Sequence, residues 1–166
     1  MERKYLHRTL DQLRADYAWG CVENAARDKI AFGDYVSLVR QFPADIQTAG
    51  LGQSTAFLFS KENKSPAHSL LKSHIGNWLL GRELPGDDDF LYYDAPLTCP
   101  NPSTPDLMQA IRGCSGRAYL RASVEALKIL AYLKRFAKGK QALDERYPVT
   151  GVASEAADPG AGEVVS

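Results

Sequence analysis

Tyr119-Leu-Arg-Ala-Ser-Val-Glu-Ala-Leu-Lys-Ile-Leu-Ala-Tyr-Leu-Lys-Arg-Phe-Ala-Lys138 is the stretch on which the fold turns. At about 100° per residue, Tyr119, Ala122, Ala126, Ile129, Leu130, Leu133 and Ala137 spread over one side, while Arg117, Arg121, Lys128 and Arg135 fall in a narrow stripe on the other. A strand, with its period of two, cannot sort these residues that way. The pattern predicts a long helix with a buried face and a basic ridge. Lys138 extends the ridge, and Lys134 lies nearer the apolar side. Glu125 follows Arg121 by four residues and precedes Lys128 by three, within reach of both as ordinary helix-surface pairs. By itself the ridge therefore reads first as a solvated face. An acidic protein or a phosphate backbone is the sharper alternative.

Upstream, Leu6, Leu10, Leu13, Tyr17 and Cys21 recur at steps of three or four and predict a first helix from about Glu2 to Arg27. Gly33 and Asp34 read as a break and an N-cap, Tyr35, Leu38, Val39 and Phe42 as the buried side of a short helix, and Pro43 as its stop. A helix over 44–62 is interrupted by Gly50 and Gly52, which suggests a close crossing or a kink. Ser65 as a capping hydroxyl and Pro66 at the first helical position start the next helix, whose buried face is Leu70, Leu71, His74, Ile75, Trp78 and Leu79, and Gly81 ends it.

From Leu84 to Pro105 the prolines and the run Asp87 to Asp89 predict a long loop with one helical turn around Phe90 to Tyr93. Thr104 reads as the cap of a short helix that Gly113 or Gly116 ends. Past Lys140 the periodicity fades, and Pro148 to Ser166, without an aromatic residue, reads as a disordered tail. The expectation is an all-α fold: one compact bundle of about five to six helices over 1–146 and a tail over 147–166.

Composition narrows the function. At 166 residues the chain can bury a core without metal or disulfide staples. Twenty Lys plus Arg balance twenty Asp plus Glu, so any contact with nucleic acid must use a local patch rather than the whole surface. Such a patch exists: eight bases against three acids from Arg117 to Arg146, whereas Glu83 to Asp94 holds five acids and no base. Cys21, Cys99 and Cys114 are too few and too scattered for a disulfide framework or a zinc site, so reduced thiols are expected. With no apolar signal core and no run of 18 apolar residues, the cytoplasm is the expected compartment.

Catalytic and metal chemistry find little support. His68 and His74, six residues apart, occupy different helix faces, so packing or solvated roles outweigh a metal pair. Asp87 to Asp89 lacks the interleaved oxygen ligands and distal Glu of a calcium loop and reads as a solvated acidic loop. No phosphate-binding Gly-Lys loop, nucleophile elbow or Cys-His-acid set is present. No cofactor, metal or catalytic residue is assigned. Of the aromatic residues that could stack bases, Tyr17 and Trp78 lie on apolar stripes; Trp19 and Tyr132 are freer.

Three segments resemble the small all-helical subunit of the type III-B CRISPR effector, the RAMP-module complex that recognises foreign RNA. Arg8 to Ala18 is similar to that family's opening helix, with basic residues before a Tyr-Ala pair. Tyr35, Ser37, Leu38, Val39 and Pro43, continuing to Gly50, Leu51, Gln53, Ala56, Phe57 and Leu58, are similar to its glycine-leucine helix leading into Ala-Phe-Leu. Arg121, Glu125, Ala126 and Leu127, then Leu133 to Ala137, resemble its Leu-Lys-Arg-Phe-Ala signature. Ala49 stands where members often carry Asn, Tyr132 where Trp is common, and the acidic proline loop has no counterpart.

The resemblance implies a non-catalytic bundle stacked in copies beside the crRNA-bearing backbone subunits and bridging to the large subunit, with target RNA along the groove. In that setting Arg117, Arg121, Lys128, Lys134, Arg135 and Lys138 are the candidate RNA contacts. They would neutralise phosphates irrespective of sequence, as suits a complex that reads sequence through its guide. The competing reading is a freestanding helical adaptor whose ridge docks an acidic protein.

Overall fold

The computed structural model describes residues 7–101, 103 and 106–148. Five α-helices and one short 3-10 helix make up its regular structure, with no strand among the described residues. Helix α1 spans Leu10–Ala26, α2 Lys29–Lys61, α3 Pro66–Leu80, α4 Leu107–Gly113 and α5 Gly116–Arg146; the 3-10 helix is Asp88–Tyr92. The all-α expectation holds. No helix among the described residues is long and apolar enough to cross a membrane.

Local chemistry explains most boundaries, including those that differ from expectation. Helix α1 begins at Leu10, later than the expected Glu2, because Thr9 and Gln12 form a reciprocal capping box. Residues 2–6 of that expected helix lie outside the described residues. Gly33 and Asp34 do not break the chain: Asp28 has already capped α2 by accepting from the Ile30 and Ala31 amides. Pro43 does not stop α2 either. It sits inside the helix, at the expense of one backbone hydrogen bond to the carbonyl four residues earlier, because the buried residues Val39, Phe42 and Ile46 on either side hold the helix together.

The real discontinuity in α2 is Gly50, at φ 85° and ψ 163°, a conformation essentially reserved for glycine. A Cβ there would meet the Tyr119 hydroxyl of α5 at 3.3 Å, and that hydroxyl accepts from the Gly52 amide at 3.0 Å. The glycine pair therefore provides both the kink and the close crossing.

Helix α3 starts at Pro66 and ends on Gly81 in the left-handed region, as expected, but Ser65 is not the expected capping hydroxyl: it accepts from no backbone amide, and its Oγ lies 2.8 Å from His68 Nδ1 instead. Thr104 is outside the described residues; α4 is capped by Asp106, which accepts from the Met108 amide. Helix α5 is longer than expected, capped by Ser115 and running to Arg146, with a Lys140–Asp144 pair one turn apart in its last stretch. Tyr147 and Pro148 are outside it, and the remainder of the expected tail lies beyond the described residues.

Helix α5 packs on α1 and α2, and α2 folds back against α3. Ala122, Ala126 and Ala137 are fully buried with Ile129, Leu130 and Leu133, so small residues bring the α5 backbone close to its neighbours. Trp78, Tyr35, Phe42, Leu51, Leu58 and Leu71 fill the space between. Each such side chain contributes about 1.5–3 kcal/mol of burial. This packing leaves the opposite side of α5 facing outward along its whole length.

Candidate nucleic-acid interface

Arg117, Arg121, Lys128, Lys134, Arg135 and Lys138 are all exposed. From Arg117 to Lys138 they cover roughly 30 Å of helix axis at about 1.5 Å per residue. Lys134, expected nearer the apolar side, is exposed with the others because the apolar face is narrower there: Leu133 and Ala137 are buried, whereas Phe136 is only half-buried. Arg121 alone of the six is ion-paired among the described residues, with Asp94 of the acidic loop at 3.2 Å. The remaining five form no ion pair among the described residues and keep their charge available.

Glu125 does not tie Arg121 and Lys128 together. Its carboxylate turns inward, accepting from Arg14 Nε at 2.6 Å, Arg14 Nη2 at 2.8 Å and Trp78 Nε1 at 2.9 Å. Both Arg14 and Glu125 are buried. Burial acts to raise the Glu125 carboxyl, but the hydrogen bonds from Arg14 and Trp78 outweigh it and hold the group below its ordinary value. The ridge thus loses its one internal acid to the core. Arg14 had a visible signal in sequence: it is a lone cation on the stripe of Leu10, Leu13 and Tyr17, where an unpaired charge is not tolerated.

The aromatic expectations divide. Tyr17 and Trp78 are core residues, their ring centroids 5.0 Å apart. Trp19 keeps 39% of its surface exposed and meets the Phe136 ring edge-on at 5.6 Å, while Tyr132 hydrogen-bonds Asp11 and also packs on Phe136. They form one aromatic row beside the ridge. Leu120 and Val124 are exposed among its cations at 67% and 52%, an apolar element not anticipated from the charge pattern.

His68 and His74 are each hydrogen-bonded within the fold. His74 is buried, with Nδ1 at 2.7 Å from the Tyr35 hydroxyl, and His68 Nδ1 lies 2.8 Å from Ser65 Oγ. No cluster of metal-binding side chains occurs among the described residues. The acidic loop is not simply solvated: Arg8 binds Asp87, Asp89 at 2.9 Å and Asp16 at 3.0 Å, and stacks over Phe90. That anchoring depresses the Asp89 carboxyl below its usual range.

A family described as CRISPR-associated protein (Cas_Cmr5) matches residues 10–140. Among solved structures, the X-ray crystal structure of a CRISPR-associated Cmr5 family protein from Thermus thermophilus is similar at a TM-score of 0.57 and 26% identity. The likeness covers 80% of this chain and 97% of that one.

Proposed function

The chain belongs to the Cmr5 family of CRISPR-associated proteins, the small subunits of type III-B effector complexes, and from that premise we propose that its α5 ridge holds target RNA inside the assembled complex. In this reading it is a cytoplasmic, non-catalytic structural subunit that stacks with copies of itself beside the crRNA-bearing backbone and bridges to the large subunit. Arg117, Lys128, Lys134, Arg135 and Lys138 supply positive charge along one rigid helix, and Arg121 joins them when released from Asp94. The observation carrying the reading is that those five exposed cations form no salt bridge among the described residues. Phosphate contacts of this kind position a strand without reading it.

Leu120 and Val124 favour a second reading, in which this face docks a neighbouring protein subunit. One experiment separates the two. Complex is reconstituted with guide and target RNA using the natural chain or a variant with Arg117, Arg121, Lys128 and Arg135 all changed to Glu, and target affinity is titrated against salt. Intact assembly with lost affinity and a flattened salt slope supports the RNA reading. Failed assembly means a protein interface, and unchanged affinity and slope in an intact complex mean that the ridge meets no RNA.

A further inference from the structure

At the Arg121 end of the ridge, between the start of α1 and the acidic loop, lies a cleft of about 580 Å³, within the range of small-ligand sites. Leu10 and Leu13 form its apolar part and Tyr92 stands at its mouth with 75% of its surface exposed, its ring in a T-shaped contact with His7, centroids 5.1 Å apart. Arg121 belongs to both the cleft and the ridge. The cations of the cleft are already matched by acids: Arg8 is shared among Asp16, Asp87 and Asp89, and Arg121 is held by Asp94. Such a site has no surplus positive charge for a phosphate. What it offers is a flat exposed ring, an apolar floor, carboxylate acceptors and one guanidinium donor.

That combination suits a neutral, planar, hydrogen-bonding ligand. We propose that this cleft accepts one unstacked nucleobase of the strand that the ridge carries, stacked on Tyr92, with an exocyclic amine donating to Asp94 or Asp89 and a ring nitrogen accepting from Arg121. It rests on the RNA reading of the ridge. Adenine meets these demands; uracil, which has no exocyclic amine and presents carbonyl oxygens to the carboxylates, meets them poorly. Aromatic stacking of a base at an exposed site is worth about a fivefold gain in affinity, the lower end of its range.

The test uses the full chain and three single-stranded RNAs of equal phosphate count: oligouridine, oligouridine with one central adenosine, and the same strand with that position abasic. The adenosine strand should bind about fivefold tighter than the abasic one and tighter than oligouridine. Tyr92→Ala should abolish the advantage and leave the salt slope unchanged, since the exposed ring carries no phosphate contact. Equal binding of adenosine and abasic strands, or an advantage that survives Tyr92→Ala, overturns the proposal. Free adenosine and uridine, titrated in parallel by the ring resonances of Tyr92, separate this site from the ridge. An adenosine-selective shift without any salt-dependent strand binding supports the cleft while the ridge reading fails; a salt slope with no adenosine shift and no base preference supports the ridge and overturns the cleft.

Discussion

The guanidinium of Arg14 on α1 grips the carboxylate of Glu125 on α5 through two parallel hydrogen bonds, 2.6 and 2.8 Å long, inside the core. Two charges withdrawn from water are costly, so this pair adds little net stability over apolar packing, but either member alone is expensive. Its structural effect is on rotation. Glu125 lies at the edge of the ridge, so pinning its carboxylate to α1, with Trp78 Nε1 as a third anchor, sets which way α5 turns its cations.

Glu125→Ala, which leaves the buried Arg14 only its longer contact with exposed Asp11 at 3.6 Å and deprives Trp78 Nε1 of its acceptor, should cost about 3–5 kcal/mol of unfolding free energy. Arg14→Met combined with Glu125→Leu should cost far less, because both buried charges disappear together. Urea unfolding of the single and double variants decides it. A double variant as unstable as the single one would mean that the Arg14–Glu125–Trp78 hydrogen bonds themselves, rather than the uncompensated charge, carry the stability.

The crossing of α2 and α5 yields a second expectation. Gly50→Ala forces an L side chain into a glycine-only conformation and against the Tyr119 hydroxyl, and should destabilise by about 1–3 kcal/mol. Tyr119→Phe removes only the acceptor of the Gly52 amide and should cost about 1 kcal/mol. Thermal unfolding of both variants checks the order. A Tyr119→Phe loss equal to that of Gly50→Ala would show that the hydrogen bond, not the backbone conformation, dominates the crossing.

Residue spacing revealed the ridge because exposed charge and buried leucine alternate with helical period along α5, and nothing in the tertiary structure overrides so strong a pattern. Breakers were less informative. Gly33 and Pro43 are tolerated inside α2 because buried Phe32, Val36, Val39 and Phe42 hold the helix through them, whereas Gly50 breaks it because another helix crosses there. That distinction depends on Tyr119, far along the chain, and is invisible locally. The same holds for Glu125, whose i,i+4 spacing from Arg121 pointed to a surface pair. Arg14, distant in sequence and already buried, offers two donors at once and wins. The cleft beside Tyr92 is formed by three segments far apart in the chain, so no single stretch announces it.

Burial pushes the His74 imidazole down to about 4. The unfolded chain takes up this proton near the ordinary value of 6.5, so between those limits the unfolded state binds more protons than the folded one. Stability should therefore fall as pH drops from about 6.5 toward 4, with a steepest slope of about 1.4 kcal/mol per pH unit, and be indifferent to this group above that window. His74→Gln should flatten the profile over that range while lowering stability at neutral pH through lost contact with Tyr35. A profile that keeps its slope in the variant would assign the acid sensitivity to other groups.

Arg121 is the one ridge cation in a salt bridge among the described residues, and that pair is open to solvent, with Asp94 almost wholly exposed. Exposed pairs are worth about 0–1 kcal/mol, so a phosphate competes with Asp94 on nearly even terms. Asp94→Asn should raise the affinity of the chain for oligouridine by up to about fivefold at low salt and steepen the salt dependence by at most the contribution of one phosphate, about 0.7 in log–log slope. Oligouridine is the right strand because it offers no exocyclic amine to the carboxylate being removed. By the same logic Arg121→Gln should cost less affinity than Lys128→Gln or Arg135→Gln, whose charges have no salt bridge to break among the described residues. Weaker binding by Asp94→Asn, or an Arg121→Gln loss larger than the other two, would mean that Asp94 positions Arg121 for the strand instead of competing with it.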